Sequence, residues 1–427
     1  MKKHKKSRKR ACSTNKKGLS YFIGCTHCII NTLVFIMICV GAVYLYKYIK
    51  HNSVFKVAQT ESKPFVYKFA NVPDVADAKP HGEWWFALYN ADISNVDLVK
   101  NINQIKYVEF DDRTVFPSAE KLPKGFEPKK WLENGKNPGL GVRDLHAKGI
   151  TGKGVTVAVI DNMLNIDHQE YKDNLIHFEV LGYPVEVPIE FHGPAVSSLL
   201  CGKTVGVAPD AKLVYFASSQ FKGTENEKPG MAGLFISNDI AALKKVLEMN
   251  EKLPKSKRIS GVSISRGWYN TDNNLAQEFT EVVNKLEETG VLVLTTNAED
   301  YYGDIANFST VDRMPNSDPD DPRSYVPGFW ENGNMSGRLL APAGGRTIAG
   351  PESKDEYMYS GAYSGMSWAT PYIVGTWALA KQVYPDIKPK EFFEIARETG
   401  YRLDNHHGGY NIIIQPTKII EYLQNKK

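Results

Sequence analysis

Four short β-prone runs, at residues 155–160, 213–217, 259–264 and 291–294, constrain this chain more than any other feature. They are dense in Val, Ile, Leu and Ala, the pattern of strands covered on both faces rather than strands with one wet side. Amphipathic stretches separate the later runs. Ile240, Leu243, Val246 and Leu247 form one apolar stripe at helical spacing. Leu275, Phe279, Val282, Val283 and Leu286 form a second, which Gly290 closes from the position just past a helix end. Strand and helix in alternation predict an α/β fold, with a mainly parallel central sheet and helices on both faces. With 427 residues, 42% of them apolar, the chain has ample material for a large core.

The region before residue 139 reads differently. Residues 1–17 carry nine Lys or Arg and no acid, so the overall charge of +4 leaves the remainder at −5. A basic tail on a mildly acidic body argues against nucleic-acid binding by the body. From Gly18 to Tyr46 no Asp, Glu, Lys or Arg occurs, which predicts a single transmembrane signal-anchor helix over 18–47. Cations before the span and few after it place the N-terminus in the cytoplasm and the rest outside the cell membrane. A cleavable signal peptide is the rival, although no small-x-small site closely follows the apolar run. Residues 48–82 read as a linker with Pro64, Pro73 and Pro80, and 83–138 as a small α/β stalk or prosegment ending in a second linker over 117–138. Of five cysteines, only Cys201 lies beyond the tail and span, so the body has no internal disulfide. Cys25 and Cys28, with His27 between them, lack the second ligand pair that a zinc site needs.

In an open parallel sheet, ligands sit beyond the carboxyl ends of the strands. Asp161 follows the first run, Ser265-Arg266-Gly267 the third, and Asn297 closely follows the fourth. His192 opens an apolar stretch, Gly193-Pro194-Ala195-Val196, as if at the start of a buried helix. Gly365-Met366-Ser367-Trp368-Ala369-Thr370-Pro371 puts a serine in the first turn of another, where backbone N–H groups lack partners. A carboxylate, an imidazole and a hydroxyl are the three groups that serine hydrolysis needs. Taken singly, His192 also reads as a capping or core histidine and Ser367 as a helix cap.

These segments resemble the subtilisin-like serine proteases over most of residues 139–427. Thr151-Gly152-Lys153-Gly154 with the strand to Asp161, then His192-Gly193 with 205–213, then Gly365-Met366-Ser367-Trp368-Ala369-Thr370-Pro371 are similar to the family's three motifs. The order Asp, His, Ser is that of subtilisin, which is a known example of this triad order. The resemblance implies a three-layer fold and a serine endopeptidase with Ser367 as nucleophile, His192 as general base and Asp161 as its orienting partner. It further implies a polypeptide substrate held along Ser265-Arg266-Gly267, an oxyanion contact from Asn297, and structural calcium as in other members. Asn162-Met163, Pro194-Ala195, Met366 and Trp368 depart from the family pattern. So does the oxyanion segment, where Asn297 falls two residues early and Glu299 takes the family's position unless a gap is placed. The acidic loop Asp318-Pro319-Asp320-Asp321-Pro322 reads as a solvated turn rather than a calcium site. Two alternatives stay open: a degenerate member that binds peptides without cleaving them, and an esterase using the same triad, against which no Gly-x-Ser-x-Gly surrounds Ser367.

Overall fold

The computed structural model describes residues 86–426, apart from 102–104, 182–188, 219–235, 268–272, 329–335, 363 and 406–407. The expected tail, span and linker (1–82) and the histidines His406 and His407 lie outside the described residues. Among those residues no helix is long and apolar enough to cross a membrane.

In chain order the elements are β1 (Phe86–Ala87), β2 (Val108–Asp111), α1 (Pro128–Gly135), α2 (Val142–Ala147), β3 (Thr156–Asp161), β4 (Leu175–Leu181), α3 (His192–Cys201) and β5 (Lys212–Ser218). There follow α4 (Ile236–Lys252), β6 (Ile259–Ser263), α5 (Asn273–Glu288), β7 (Leu292–Leu294), α6 (Glu299–Tyr302), β8 (Phe308–Arg313), β9 (Tyr325–Pro327) and β10 (Leu339–Pro342). The last are β11 (Arg346–Ala349), β12 (Tyr357–Ser360), α7 (Met366–Val383), α8 (Pro389–Glu398), β13 (Tyr401–Asp404), β14 (Tyr410–Ile413) and α9 (Pro416–Asn425).

The central sheet has the order β4-β5-β3-β6-β7, and every neighbouring pair in it is parallel. The four runs marked in the sequence are β3, β5, β6 and β7. Val157, Ala158, Val159 and Ile160 are all fully buried although successive side chains point to opposite faces, so both faces of β3 are covered. Helices α4 and α5 pack on each other, and α3 and α7 do likewise. The C-terminus of α5 ends as expected: Gly290 has φ +84°, with Val291 N–H bonded to Leu286 O and Gly290 N–H to Glu287 O. Strand β4 was not legible as a run, because at the sheet edge His177 and Glu179 interrupt its apolar residues and the strand is only partly buried. A second sheet, β13-β14-β10-β8-β9, is parallel at its centre and antiparallel at both edges.

The stretch 117–138, read as a linker, contains α1, and its Trp131 is 4% exposed. Pro, Lys and Gly dominate the composition there, but Phe126 and Trp131, with Phe116 just before the stretch, supply aromatic anchors. Phe126 meets Trp131 at 4.8 Å, while Phe110 meets Phe116 at 5.2 Å and stacks on Tyr359 at 5.2 Å. This small core is joined to the later chain by a third sheet, β1-β2-β12-β11, in which β2 pairs antiparallel with β12.

The same junction carries a charge cluster. Arg113 Nη2 lies 2.7 Å from both Asp111 Oδ2 and Glu356 Oε1, and Arg113 Nη1 also pairs with Glu352. Burial pushes the Glu356 carboxyl up to about 7; the backbone N–H of Glu352 and the Arg113 charge oppose that shift, while the Glu352 and Asp111 charges add to it. A raised folded-state value means the folded chain holds this proton more tightly than the unfolded chain, whose ordinary value is 4.5. Its contribution to stability is therefore complete below 4.5 and is lost as pH rises through about 7. The permanently neutral Glu356→Gln variant lacks this loss. Thermal unfolding should show the variant gaining on the wild type between about pH 5 and about pH 8, whereas a constant gap would contradict the assignment.

Candidate active site

Asp161 is the last residue of β3, Ser265-Arg266-Gly267 follow β6, and Asn297 comes three residues after β7. All therefore lie at the carboxyl edge of the parallel sheet. Helix α3 opens at His192, and Ser367 is the second residue of α7. The close approach of α3 depends on Gly193, where a Cβ would come 2.8 Å from Asn162 O and 3.0 Å from Met163 O.

Asp161 is fully buried. Its Oδ1 accepts the backbone N–H of Asn162 at 2.7 Å and lies 2.7 Å from His192 Nδ1, while its Oδ2 has no hydrogen-bond partner among the described residues. A buried carboxylate satisfied on one oxygen holds the imidazole proton on Nδ1 and leaves Nε2 as the acceptor. Nε2 of His192 has no partner among the described residues. The His192 ring lies 5.4 Å from that of Trp368, and the part-exposed Phe191 stands edge-on to both.

Ser367 is tied to the end of β6 by a reciprocal pair. Its hydroxyl donates to Ser265 O at 2.9 Å, and the Ser265 hydroxyl donates to Ser367 O at 2.9 Å. The second bond follows from the sequence. In a regular helix the N–H of residue 371 would bond to Ser367 O, but Pro371 has none, and the freed carbonyl takes the Ser265 hydroxyl instead. Among the described residues no hydrogen bond joins Ser367 to His192.

Arg266 N–H bonds to Ile264 O and Arg266 O accepts from Thr296 N, so this residue is closed to an incoming chain. The Arg266-to-Ile264 bond closes a three-residue turn centred on Ser265. The groups left for an incoming chain are the N–H and C=O of Gly267, which have no partner among the described residues, and Ser265 O, which accepts the Ser367 hydroxyl. The Arg266 side chain is likewise committed. It forms a bidentate pair with Asp239, and it donates to Ser218 O at 3.1 Å and to Ser218 Oγ at 3.0 Å. Leaving either buried charge of such a pair alone costs about 3–5 kcal/mol, so this guanidinium braces the segment from beneath.

Asn297 lies against this segment, since a Cβ on Gly267 would overlap its Oδ1. Its Nδ2 has no partner among the described residues. Glu299 instead opens α6, where its charged neighbours are Asp300, Arg338 and Asp304 rather than His192 or Asp161, and burial raises its pKa. The acidic loop does not fit a calcium ion. Asp320 Oδ1 accepts from Gly141 N at 2.8 Å, Asp318 Oδ1 from Asp320 N at 2.9 Å, and Asp321 pairs with Arg323. No group of three or more His, Cys, Asp or Glu among the described residues could hold a metal.

His146 and His168 bond to backbone carbonyls of Val207 and Glu356, and both lie away from this cluster. Cys201 is a free buried thiol with its pKa pushed up to about 12 by burial. Two groups were missed in the sequence. Asp239, near the start of α4, is masked by its place in a helical pattern. Glu190 stands two residues before His192, which in retrospect was the available signal.

Residues 152–408 match the Subtilase family. Among solved structures the chain is similar to subtilase cytotoxin SubAB, at 16% identity over 69% of this chain and 97% of that one, with a TM-score of 0.49. It is similar to a cold-adapted subtilisin-like serine proteinase at 16% identity, covering 62% of this chain and 89% of that one, with a TM-score of 0.41. Fervidolysin from Fervidobacterium pennivorans, a keratinolytic enzyme related to subtilisin, shares 15% identity over 70% of this chain and 48% of that one, with a TM-score of 0.47. With its parallel central sheet and more than half of its length matched by one family, the chain belongs to the subtilase family.

Proposed function

We propose that this protein is a serine endopeptidase that cleaves polypeptides through an acyl-enzyme. The observation that carries the reading is the 2.7 Å contact between buried Asp161 and His192 Nδ1, with Nε2 left unpartnered. A peptide laid along Ser265 and Gly267 would give its own N–H to Ser265 O, displacing the Ser367 hydroxyl that now occupies it. The released hydroxyl would turn to His192 Nε2, which takes its proton as the serine oxygen bonds to the scissile carbonyl carbon. The Ser367 N–H, without an intrahelical acceptor in the first turn, and Asn297 Nδ2 would meet the oxyanion. Protonated His192 then gives its proton to the leaving amine as the C–N bond breaks. Water reverses the sequence and frees the acid.

The bond from the Ser367 hydroxyl to Ser265, rather than to His192, favours a second reading, a subtilase that binds peptides without cutting them. The uncharged stretch from Gly18 to Tyr46, behind nine cations, supports a membrane-anchored display with the catalytic unit outside the cell.

A fluorophosphonate probe should label Ser367 in the folded wild type and fail to label Ser367→Ala; no labelling of the wild type would establish the non-cleaving reading. Asn297→Ala should lower kcat by about a hundredfold or more with little change in KM, measured on a peptide substrate. An unchanged kcat would remove Asn297 from the oxyanion site. Protease added to intact cells should digest the chain beyond residue 52 and spare the tail, and the opposite pattern would reverse the orientation.

A further inference from the structure

The proposed mechanism leaves one carboxylate beside the imidazole unused. Glu190 follows the buried Ile189, and it is half-buried itself. Its Oε2 accepts from Asn162 Nδ2 at 2.9 Å, and Asn162 is 7% exposed and adjoins Asp161. Asn162 is one of the departures from the family pattern, and its amide here fixes the direction of the Glu190 side chain. The other carboxylate oxygen, Oε1, has no hydrogen-bond partner among the described residues.

The charges around Glu190 do not balance. Its electrostatic neighbours are His192 and Asp161, and no Lys or Arg of the described residues lies within ion-pair distance. The preceding residues 182–188 contain no Lys or Arg either. Half-buried carboxylates are costly without a cation, and burial does raise the Glu190 pKa. The exposed Phe191 and the Trp368 ring, 6.1 Å and 5.4 Å from the imidazole, give His192 an apolar border. A substrate chain passing His192 thus meets the Phe191 and Trp368 rings and a carboxylate held by Asn162, with one oxygen unpaired among the described residues.

We propose that Glu190, held by Asn162, selects a basic side chain, Lys or Arg, at a substrate position adjoining the scissile bond. The inference rests on the endopeptidase reading and names a substrate class for it. The long stem of Lys or Arg lies along apolar surface while its cation reaches the free carboxylate oxygen.

The test uses the whole chain and quenched peptides identical except for Lys, Gln or Glu at each of the two positions on either side of the cleaved bond. At one of these positions the wild type should show kcat/KM about tenfold higher for Lys than for Gln, the scale of a partly desolvated ion pair. Glu190→Gln should reduce that ratio to about two or less, and Glu190→Lys should turn it in favour of the Glu peptide. Each ratio is read within one variant, so a uniform loss of activity cancels. A purely structural role for Glu190 would slow all peptides alike and leave the ratio unchanged, which would overturn the proposal. So would a wild type that cleaves Lys and Gln peptides equally, while still labelled at Ser367. Failure of the wild type both to cleave any peptide and to be labelled would overturn the endopeptidase reading, and this inference with it.

Discussion

The structure around the site depends on the missing N–H of Pro371. A proline within a helix costs about 3 kcal/mol where nothing offsets it, and one neutral hydrogen bond returns only about 1 kcal/mol. The Ser265 bond to Ser367 O therefore does not by itself explain why the proline is tolerated. Its place near the start of α7 and the full burial of that part of the helix carry the remainder. What the bond does is geometric: it links the first turn of α7 to the segment that leaves β6. Ser367 and the open edge at Ser265 and Gly267 are thus held as one unit.

The second constraint is closeness. Helix α3 approaches β3 so tightly at Gly193 that no Cβ fits, and this approach brings His192 onto Asp161. Tyr215 on β5 donates to Asn162 O across the same gap. A fully buried carboxylate with one oxygen unpartnered is unfavourable unless its proton donor stays in place. The arrangement resists any other imidazole orientation for that reason. The Arg266–Asp239 pair, also buried, performs a similar service on the far side of the open edge.

Residues 117–138 show why composition misleads over short stretches. Pro, Lys and Gly suggested a connector, yet Phe126 and Trp131, with Phe116 just before them, were enough to seed a small core with Phe110 and Tyr359. The β2–β12 pairing and the carboxylates around Arg113 bind that core to the later chain. Tyr359 and Glu356 lie more than two hundred residues away in sequence, so no local pattern could announce the partnership.

The parallel direction of β3, β5, β6 and β7, though not their order, and the positions of Asp161, His192 and Ser367 at element ends, could be read from the chain by itself. Strands covered on both faces must be continuously apolar, and parallel strands put their polar exits on one edge. The edge strand β4 escaped because a strand with one wet side carries charges such as Glu179 among its apolar residues. Other features were decided only by tertiary packing. Arg266 turned inward to Asp239 instead of toward a substrate, Asn297 rather than Glu299 came to lie beside Gly267, and Asn162 came to hold Glu190 within electrostatic reach of His192. Sequence patterns record which side chains must leave water; they do not record which buried polar group meets which, because those partners come from segments that only the folded chain brings together.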